Sequence, residues 1–524
     1  MFNIVPQPNE LIITGGKARF VLDEDTTISK LPFIDEFRRF VRKQFDLHIH
    51  RDSQATENTI RLELTDDADS DEGYRLVSRD GCIYIYARAE NGLFYGLQTL
   101  KQLLLQGNGV VPDLYIDDKP RFRYRGFMLD SGRYFQPVEE IKRLIDLMAL
   151  HKLNRFHWHL TEDQGWRIQI DKYPLLTEIG SRRSHTNFGL RPEGGFYTKD
   201  DVREIVDYCH RRFMEVVPEF DVPGHCVAAI ACYPELSCFS RKLKVATHWG
   251  VKHDILCAGK ESTYRFVFDV LDELFALFPD KWMHLGGDEA VKMRWKLCEH
   301  CQDVIRTKGL KDENELQQYF MSRVARYVYE HGFTPIMWNY DGVDSADMLD
   351  RRIVWQMCGA NEENGLVQKE LAAGRRMINA SAFPYYLDFP YGWVDLQRAY
   401  EYEPGISENI LGVEAPLWTE YVPDRKTADK RIFPRLAAVA EAAWSAPEDR
   451  SFARFEEGLP EYFDLLNVYH VHYATLKQAM PGKLRGKAQS LWFNRRVLHW
   501  QGLHNLIDDA RVEAAHKNDC SRSR

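Results

Sequence analysis

Trp282-Met283-His284-Leu285-Gly286-Gly287-Asp288-Glu289 reads as a buried strand that runs out into a turn and delivers two carboxylates. Its apolar, aromatic lead-in supplies the strand. Neighbouring residues on a strand point to opposite faces, so Asp288 and Glu289 can share a site only where the strand ends and turns. Gly286-Gly287 permits that turn. A carboxylate pair at the mouth of a buried strand is costly in stability and useful in chemistry. One acid can be raised in pKa to donate a proton while the other stays charged. The stretch points to acid catalysis.

Around it, from Arg125 onward, the pattern is strand, loop, helix, repeated. Strands are expected at Gly126–Asp130, Arg155–Leu160, Glu215–Phe220, Trp282–Leu285, Thr334–Trp338, Ile353–Met357, Met377–Asn379 and Leu411–Pro416. Helical periods lie between most of them, as at Pro137–His151, Thr198–Phe213, Thr263–Phe278 and Glu313–Tyr329. Eight strands alternating with helices argue for an α/β fold of the (β/α)8 TIM-barrel type. A doubly wound sheet is the alternative, but no Gly-rich phosphate turn follows the first strand.

Residues 1–118 read as a separate small α+β domain. Leu11-Ile12-Ile13 and Tyr74-Arg75-Leu76-Val77 are strand-like, Asp80-Gly81 is a hairpin turn before Cys82–Ala87, and an amphipathic helix runs from Asn91 to about Gln106. The barrel is expected over 119–449. A C-terminal extension over 450–524 has a helical period from Phe452 to Met480, expected to pack on the barrel, and ends in a frayed tail, Ala514–Arg524.

In a TIM barrel the chemistry sits at the C-terminal ends of the strands. Those ends carry Asp130 and Arg133, then Glu162 and Asp163, then Asp221 and His225, then Asp288 and Glu289. They continue with Trp338-Asn339, Trp355-Gln356, Tyr386 and Asp388, and Trp418 and Glu420. A single tryptophan there is more often core, and a single aspartate more often a loop cap. Together they give carboxylates, one arginine, one histidine and three tryptophans on one face. That set suits a neutral sugar ring, with apolar faces to bury, hydroxyls to hydrogen-bond and a glycosidic oxygen to protonate.

Composition excludes other classes. The net charge of −9 and the lack of a basic run argue against nucleic acid. No apolar run reaches membrane-spanning length. The start, MFNIVPQPNE, shows no signal peptide, which makes a cytoplasmic protein the expectation. Ten cysteines do not make a disulfide scaffold. Cys298-Glu299-His300-Cys301 is a lone CxxC; Cys257 or His300 could help complete a zinc site, but plain thiols are favoured. No cofactor and no metal is expected.

The motifs His284-Leu285-Gly286-Gly287-Asp288-Glu289, Arg125-Gly126 through Arg133, His157-Trp158-His159-Leu160-Thr161-Glu162-Asp163-Gln164-Gly165-Trp166-Arg167 and Asp221-Val222-Pro223-Gly224-His225 carry a resemblance. The chain resembles the β-N-acetylhexosaminidases of glycoside hydrolase family 20 over nearly all of its first 450 residues. The resemblance implies an exo-acting, retaining hydrolase of terminal β-linked N-acetylglucosamine and N-acetylgalactosamine. The substrate's own 2-acetamido group is the nucleophile in that family, and an oxazolinium ion is the intermediate. Glu289 would be the acid and then the base, and Asp288 would hold and polarise the acetamido group. Arg133 would bind ring hydroxyls, and Trp338, Trp355 and Trp418 would wall the sugar. Tyr386 would bond the acetamido oxygen, and Asp388 and Glu420 would contact substrate. His225, with Asp221 and either Glu162 or Asp163, would tune Glu289. The implied partner is a glycan; a lacto-N-biosidase-like enzyme releasing a disaccharide and a non-catalytic sugar-binding barrel are the rival readings. The sequence leaves the oligomeric state open.

Overall fold

The computed structural model describes residues 2–15, 19–66, 70–339, 345–358, 365–405, 407–498 and Val512. Eight parallel strands close into a barrel in chain order. They are β1 (Tyr124–Asp130), β2 (Arg155–His159), β3 (Glu215–Glu219), β4 (Trp282–His284), β5 (Thr334–Asn339), β6 (Val354–Met357), β7 (Met377–Asn379) and β8 (Ile410–Leu417). All eight expected strands are present, and the TIM-barrel expectation holds. The helices Val138–Leu150, Lys199–His210, Glu261–Phe275 and Glu313–Glu330 lie where the helical periods put them. Thr198 starts the second of these with a reciprocal capping box to Asp201.

Side chains alternate along a strand, so each barrel strand sends every second residue into the lumen. Tyr124, Val217, Ile336, Val354 and Ile378 make an apolar floor, with Trp282 and Leu411 against it. Met128, Trp338 and Ala380, joined by Cys358 and Trp418, make an upper layer near the C-terminal ends. Between them lies a buried polar layer of His157, His159, Glu219, His284, Gln356 and Glu414.

The N-terminal residues form a seven-stranded mixed sheet. Its hairpin Tyr74–Arg79/Cys82–Ala87 turns at Asp80 and Gly81, both with positive φ (52° and 74°), as a tight two-residue turn requires. The helix Glu90–Gln106 covers this sheet. A buried polar junction ties sheet to barrel: Lys152 Nζ lies 2.7 Å from Asp118 Oδ2, which also accepts from Tyr74 Oη at 2.6 Å. Trp444 Nε1 donates to Asp118 Oδ1 at 2.7 Å. Arg125 clamps Glu72 with two hydrogen bonds of 2.9 and 2.7 Å.

The C-terminal helical period is divided. Phe452–Glu457 stops at Gly458, Leu459–Val468 follows, and Leu476–Ala479 and Lys483–Leu498 come after a turn in which His470 has φ 53°. Tyr462 Oη reaches His151 Nε2 at 2.7 Å, so this extension packs where the barrel and the N-terminal helix meet. The expected tail, Ala514–Arg524, lies outside the described residues. Among the described residues no helix is long and apolar enough to cross a membrane.

Removing Lys152 leaves Asp118 buried with its charge uncompensated. Lys152→Met is expected to destabilise the protein by about 3 kcal/mol, near the low end for a broken buried pair because Tyr74 and Trp444 still donate to Asp118. Thermal and urea unfolding followed by circular dichroism measure this; an unchanged midpoint would show that the junction contributes nothing.

Candidate active site

The loop after β4 is shaped by backbone before it carries chemistry. Gly286 and Gly287 have φ 62° and 95°, and Glu289 itself has φ 46°. A Cβ at Gly286 would lie 1.8 Å from Asp221 Oδ1, so only glycine fits against that carboxylate. Asp221 Oδ1 accepts from Gly287 N at 3.1 Å, and Gln317 Nε2 donates to Gly287 O at 2.7 Å. These contacts hold the turn that brings both carboxylates to one side.

His225, with φ 51°, stands between the acids of three strand ends. Its Nδ1 lies 2.9 Å from Glu162 Oε1 and 3.9 Å from Asp163 Oδ2. Its Nε2 lies 3.5 Å from Glu289 Oε2 and 4.0 Å from Asp288 Oδ2. Glu162 is therefore the strand-two acid that faces His225. Asp163 instead accepts from Val227 N at 2.9 Å, and its backbone carbonyl accepts from Ala246 N at 3.0 Å.

The electrostatics follow from burial and these neighbours. Burial opposes ionisation of Glu162, but the charges of Arg133 and His225 outweigh it and hold the group well below the usual carboxylate range. Burial opposes the charged form of His225, but Glu162 and Asp221 raise its pKa well above the ordinary value. Burial raises Asp288, and the His225 charge works against that rise. Glu289 is likewise raised by burial, with His225 opposing and the Asp288 charge reinforcing. Asp163 is pushed up to about 6 by burial and the Glu162 charge. Among the described residues, Asp288 Oδ1 is buried with no hydrogen-bond partner.

Arg133 brings a guanidinium deep into the pocket. It lies 2.6 Å from Glu162, 3.0 Å from Asp130 and 3.3 Å from Glu420, and its guanidinium sits 5.0 Å over the Trp418 ring. Burial and the Glu420 charge push Asp388 up to about 8. Trp418 is half-buried; its ring lies 5.6 Å from Trp338 and 6.1 Å from Tyr386. Trp338 is fully buried and donates from Nε1 to Glu219 at 2.7 Å.

Trp355 does not belong with them. Its strand neighbours Val354 and Gln356 face the lumen, so the pleat turns Trp355 outward, where the Arg375 guanidinium lies 4.8 Å over its ring. The lumen position beside Trp338 and Trp418 belongs to Cys358. The expectation of a third wall at Trp355 came from the family resemblance, carried onto the tryptophan of that strand; counting by twos from Gln356 leads to Cys358. The sequence reading also missed Trp249, whose Nε1 donates to Glu420 at 2.8 Å from the long loop after β3, and Gln317 beneath the catalytic turn.

The family model described as glycosyl hydrolase family 20, catalytic domain, matches residues 122–447, and that for glycosyl hydrolase family 20, domain 2, matches residues 1–119. A β-hexosaminidase of Porphyromonas gingivalis is 38% identical over 92% of this chain, which spans 65% of that relative. One from Akkermansia muciniphila is 35% identical over 75% of this chain and 83% of its own length. The crystal structure of a Vibrio harveyi exo β-N-acetylglucosaminidase of this family, in complex with N-acetylglucosamine, superposes with a TM-score of 0.80 at 27% identity, covering 90% of this chain and 78% of that one. The chain belongs to glycosyl hydrolase family 20, and its barrel is a catalytic domain of that family.

Gly286→Ala combines the Asp221 clash with left-handed backbone, whereas Gly309→Ala has the same hand of φ and open space. Gly309→Ala is expected to cost about 1–2 kcal/mol, and Gly286→Ala a further ~1–3 kcal/mol. Equal losses in urea denaturation would remove the steric argument for the Asp221 contact.

Proposed function

We propose that this protein is an exo-acting, retaining β-N-acetylhexosaminidase that removes terminal β-linked N-acetylglucosamine or N-acetylgalactosamine by substrate-assisted catalysis. The observation that carries the reading is the pairing of Asp288 and Glu289 on one turn, with His225 3.5–4.0 Å from both. Support comes from the relatives, named β-hexosaminidases, and from the neighbour bound to N-acetylglucosamine.

Glu289 sits at the pocket mouth with its side chain 52% exposed, near enough to solvent to exchange a leaving group for water. Its raised pKa favours the protonated form, which donates to the glycosidic oxygen as the bond to C1 breaks. The partnerless oxygen of Asp288 is available to the acetamido N–H. An ionised Asp288 orients that amide so that its oxygen attacks C1, and it stabilises the positive charge of the resulting oxazolinium ion. Tyr386, near Trp418, donates to the acetamido oxygen. Glu289, now a carboxylate, takes a proton from water, which opens the ring from the face the leaving group left. Two inversions at C1 return the β configuration. Arg133, Asp388 and Glu420 bind ring hydroxyls, and Trp418 supplies the apolar platform.

Glu289→Gln is expected to slow glycosides with poor leaving groups by ~10²–10⁴-fold and to spare much of the first step for activated aryl leaving groups. Equal losses on both would show that Glu289 is not the acid. In the wild-type chain kcat/KM should be bell-shaped in pH. It falls as pH drops through the raised pKa of Asp288, which must be charged, and as pH rises through the raised pKa of Glu289, which must be protonated. Loss of the alkaline limb in Glu289→Gln, measured with an activated aryl leaving group, is the expected check.

Trp418→Ala should weaken N-acetylglucosamine binding by about 1–3 kcal/mol, the worth of a lost apolar wall, whereas Trp355→Phe should leave it unchanged. Calorimetric titration compares the two, and an equal loss in Trp355→Phe would return Trp355 to the pocket.

A further inference from the structure

Away from the catalytic carboxylates, four cysteines from three segments converge. Cys238 follows the short turn Pro234–Leu236, and Cys257 follows the bridge between Ser237 and Leu256. Cys298 caps the helix Glu299–Lys308, and Cys301 lies in its first turn. The sulfurs of Cys257 and Cys301 are 3.6 Å apart, those of Cys257 and Cys298 3.7 Å, and those of Cys238 and Cys301 3.9 Å. All four lie within 4.8 Å of one another. Cys257, Cys298 and Cys301 are buried and Cys238 is partly so.

These separations are far too long for a disulfide, whose sulfurs sit at about 2.05 Å. They fit another object. Four thiolates around one zinc at about 2.3 Å make a tetrahedron whose edges are about 3.8 Å. Ordinary packing gives no reason for four soft sulfurs from distant stretches of chain to meet at that spacing. His300, between Cys298 and Cys301, is exposed and takes no part; the fourth sulfur is Cys238.

We propose that Cys238, Cys257, Cys298 and Cys301 form a tetrathiolate site for one structural zinc ion that ties the loop after β3 to the helix after β4. Four thiols lose their protons and the four sulfurs bind the divalent cation, with no change of oxidation state. Tetrahedral all-sulfur coordination selects zinc over oxygen-preferring cations. The site replaces the expectation of plain thiols. It also has a use. Leu256 N donates to Pro223 O at 2.9 Å, two residues before His225, and Trp295 Nε1 donates to Leu256 O at 2.9 Å from the chain that follows Glu289. The loop closed between Cys238 and Cys257 sends Trp249 onto Glu420 and Ala246 N onto Asp163 O. The ion thus fixes the rim of the pocket without touching substrate.

The test is metal content of the full chain, purified under reducing conditions without chelator, together with the absorption spectrum after exchange with cobalt(II). The expected result is about one zinc per chain, released as a mercurial reagent modifies the cysteines, and a cobalt form with thiolate charge-transfer bands and intense visible ligand-field bands of tetrahedral geometry. Cys298→Ser and Cys238→Ser should each lower zinc retention and speed proteolysis of the loop between Cys238 and Cys257. A folded wild-type chain that binds neither zinc nor cobalt stoichiometrically overturns the proposal, as does one with iron in its place or a disulfide among these cysteines. Metal content is read independently of turnover, so its outcome is separate from that of the hydrolase reading.

Discussion

Glu219 is the charge around which the barrel is organised. It is buried in the lumen at the end of β3, where an unpaired carboxylate would cost several kcal/mol. Its oxygens receive His159 Nδ1 at 2.5 Å and Trp338 Nε1 at 2.7 Å, and His157 Nε2 and His284 Nδ1 both stand at 3.1 Å. Burial opposes its ionisation, but the charge of His159 and the hydrogen bonds from His157 and His159 outweigh it and hold Glu219 well below the usual range. Glu414 repeats the arrangement on β8, accepting from His157 Nδ1, Gln356 Nε2 and Tyr124 Oη at 2.6–2.7 Å. Burial opposes protonation of His157, but Glu414 and Glu219 lift it to about 9. Burial likewise opposes protonation of His159, but Glu219 and Glu162 raise it well above the ordinary histidine value. Two carboxylates therefore face two imidazolium groups, and the lumen holds charge without net charge.

That layer positions the site above it. Trp338 is oriented by its bond to Glu219. His159 Nε2 lies 3.5 Å from Glu162, Glu162 meets both Arg133 and His225, and His225 meets Asp288 and Glu289. Each group is fixed by the one below it. Asp288 and Glu289, the proposed catalytic acids, sit at the end of this series, with Glu289 part-exposed to solvent. There the remaining burial and the Asp288 charge raise Glu289 against the opposing charge of His225, which its own carboxylate neighbours keep protonated. Proton donation needs the raised Glu289 and stabilisation of a charged Asp288 needs the protonated His225.

Much of this was legible in the sequence. The alternation of strand and helix gave all eight barrel strands, because buried parallel strands are short apolar runs bounded by turns. The carboxylate pair after Gly286-Gly287 was legible because glycine there has one purpose, to turn the strand end against Asp221. The lumen was not. His157, Glu219 and Glu414 sit inside strands, where a lone polar residue reads as an interruption of the apolar pattern. Only closure of the barrel makes them neighbours. Trp355 misled for a related reason: its residue type suits a sugar platform, but its parity with Gln356 turns it away from the lumen. Cys238 was invisible beside the Cys298–Cys301 motif because sixty residues separate them in sequence. The division of the C-terminal helix at Gly458 was missed because a helical period continues across it.

In the proposed mechanism the nucleophile belongs to the substrate, and Asp288 and Glu289 assist it without forming a covalent bond to the sugar. Substrate-assisted family 20 catalysis departs from the two-carboxylate scheme of most retaining glycosidases in this respect. The most direct measurement pairs two aryl glycosides that differ only at C2, one with the acetamido group and one with a hydroxyl, and follows the first-formed sugar by proton NMR. The expected result is β-configured product from the acetamido substrate and essentially no turnover of the other. Comparable hydrolysis of the hydroxyl analogue through a covalent sugar ester on a protein carboxylate, or an α-configured first product, would contradict it.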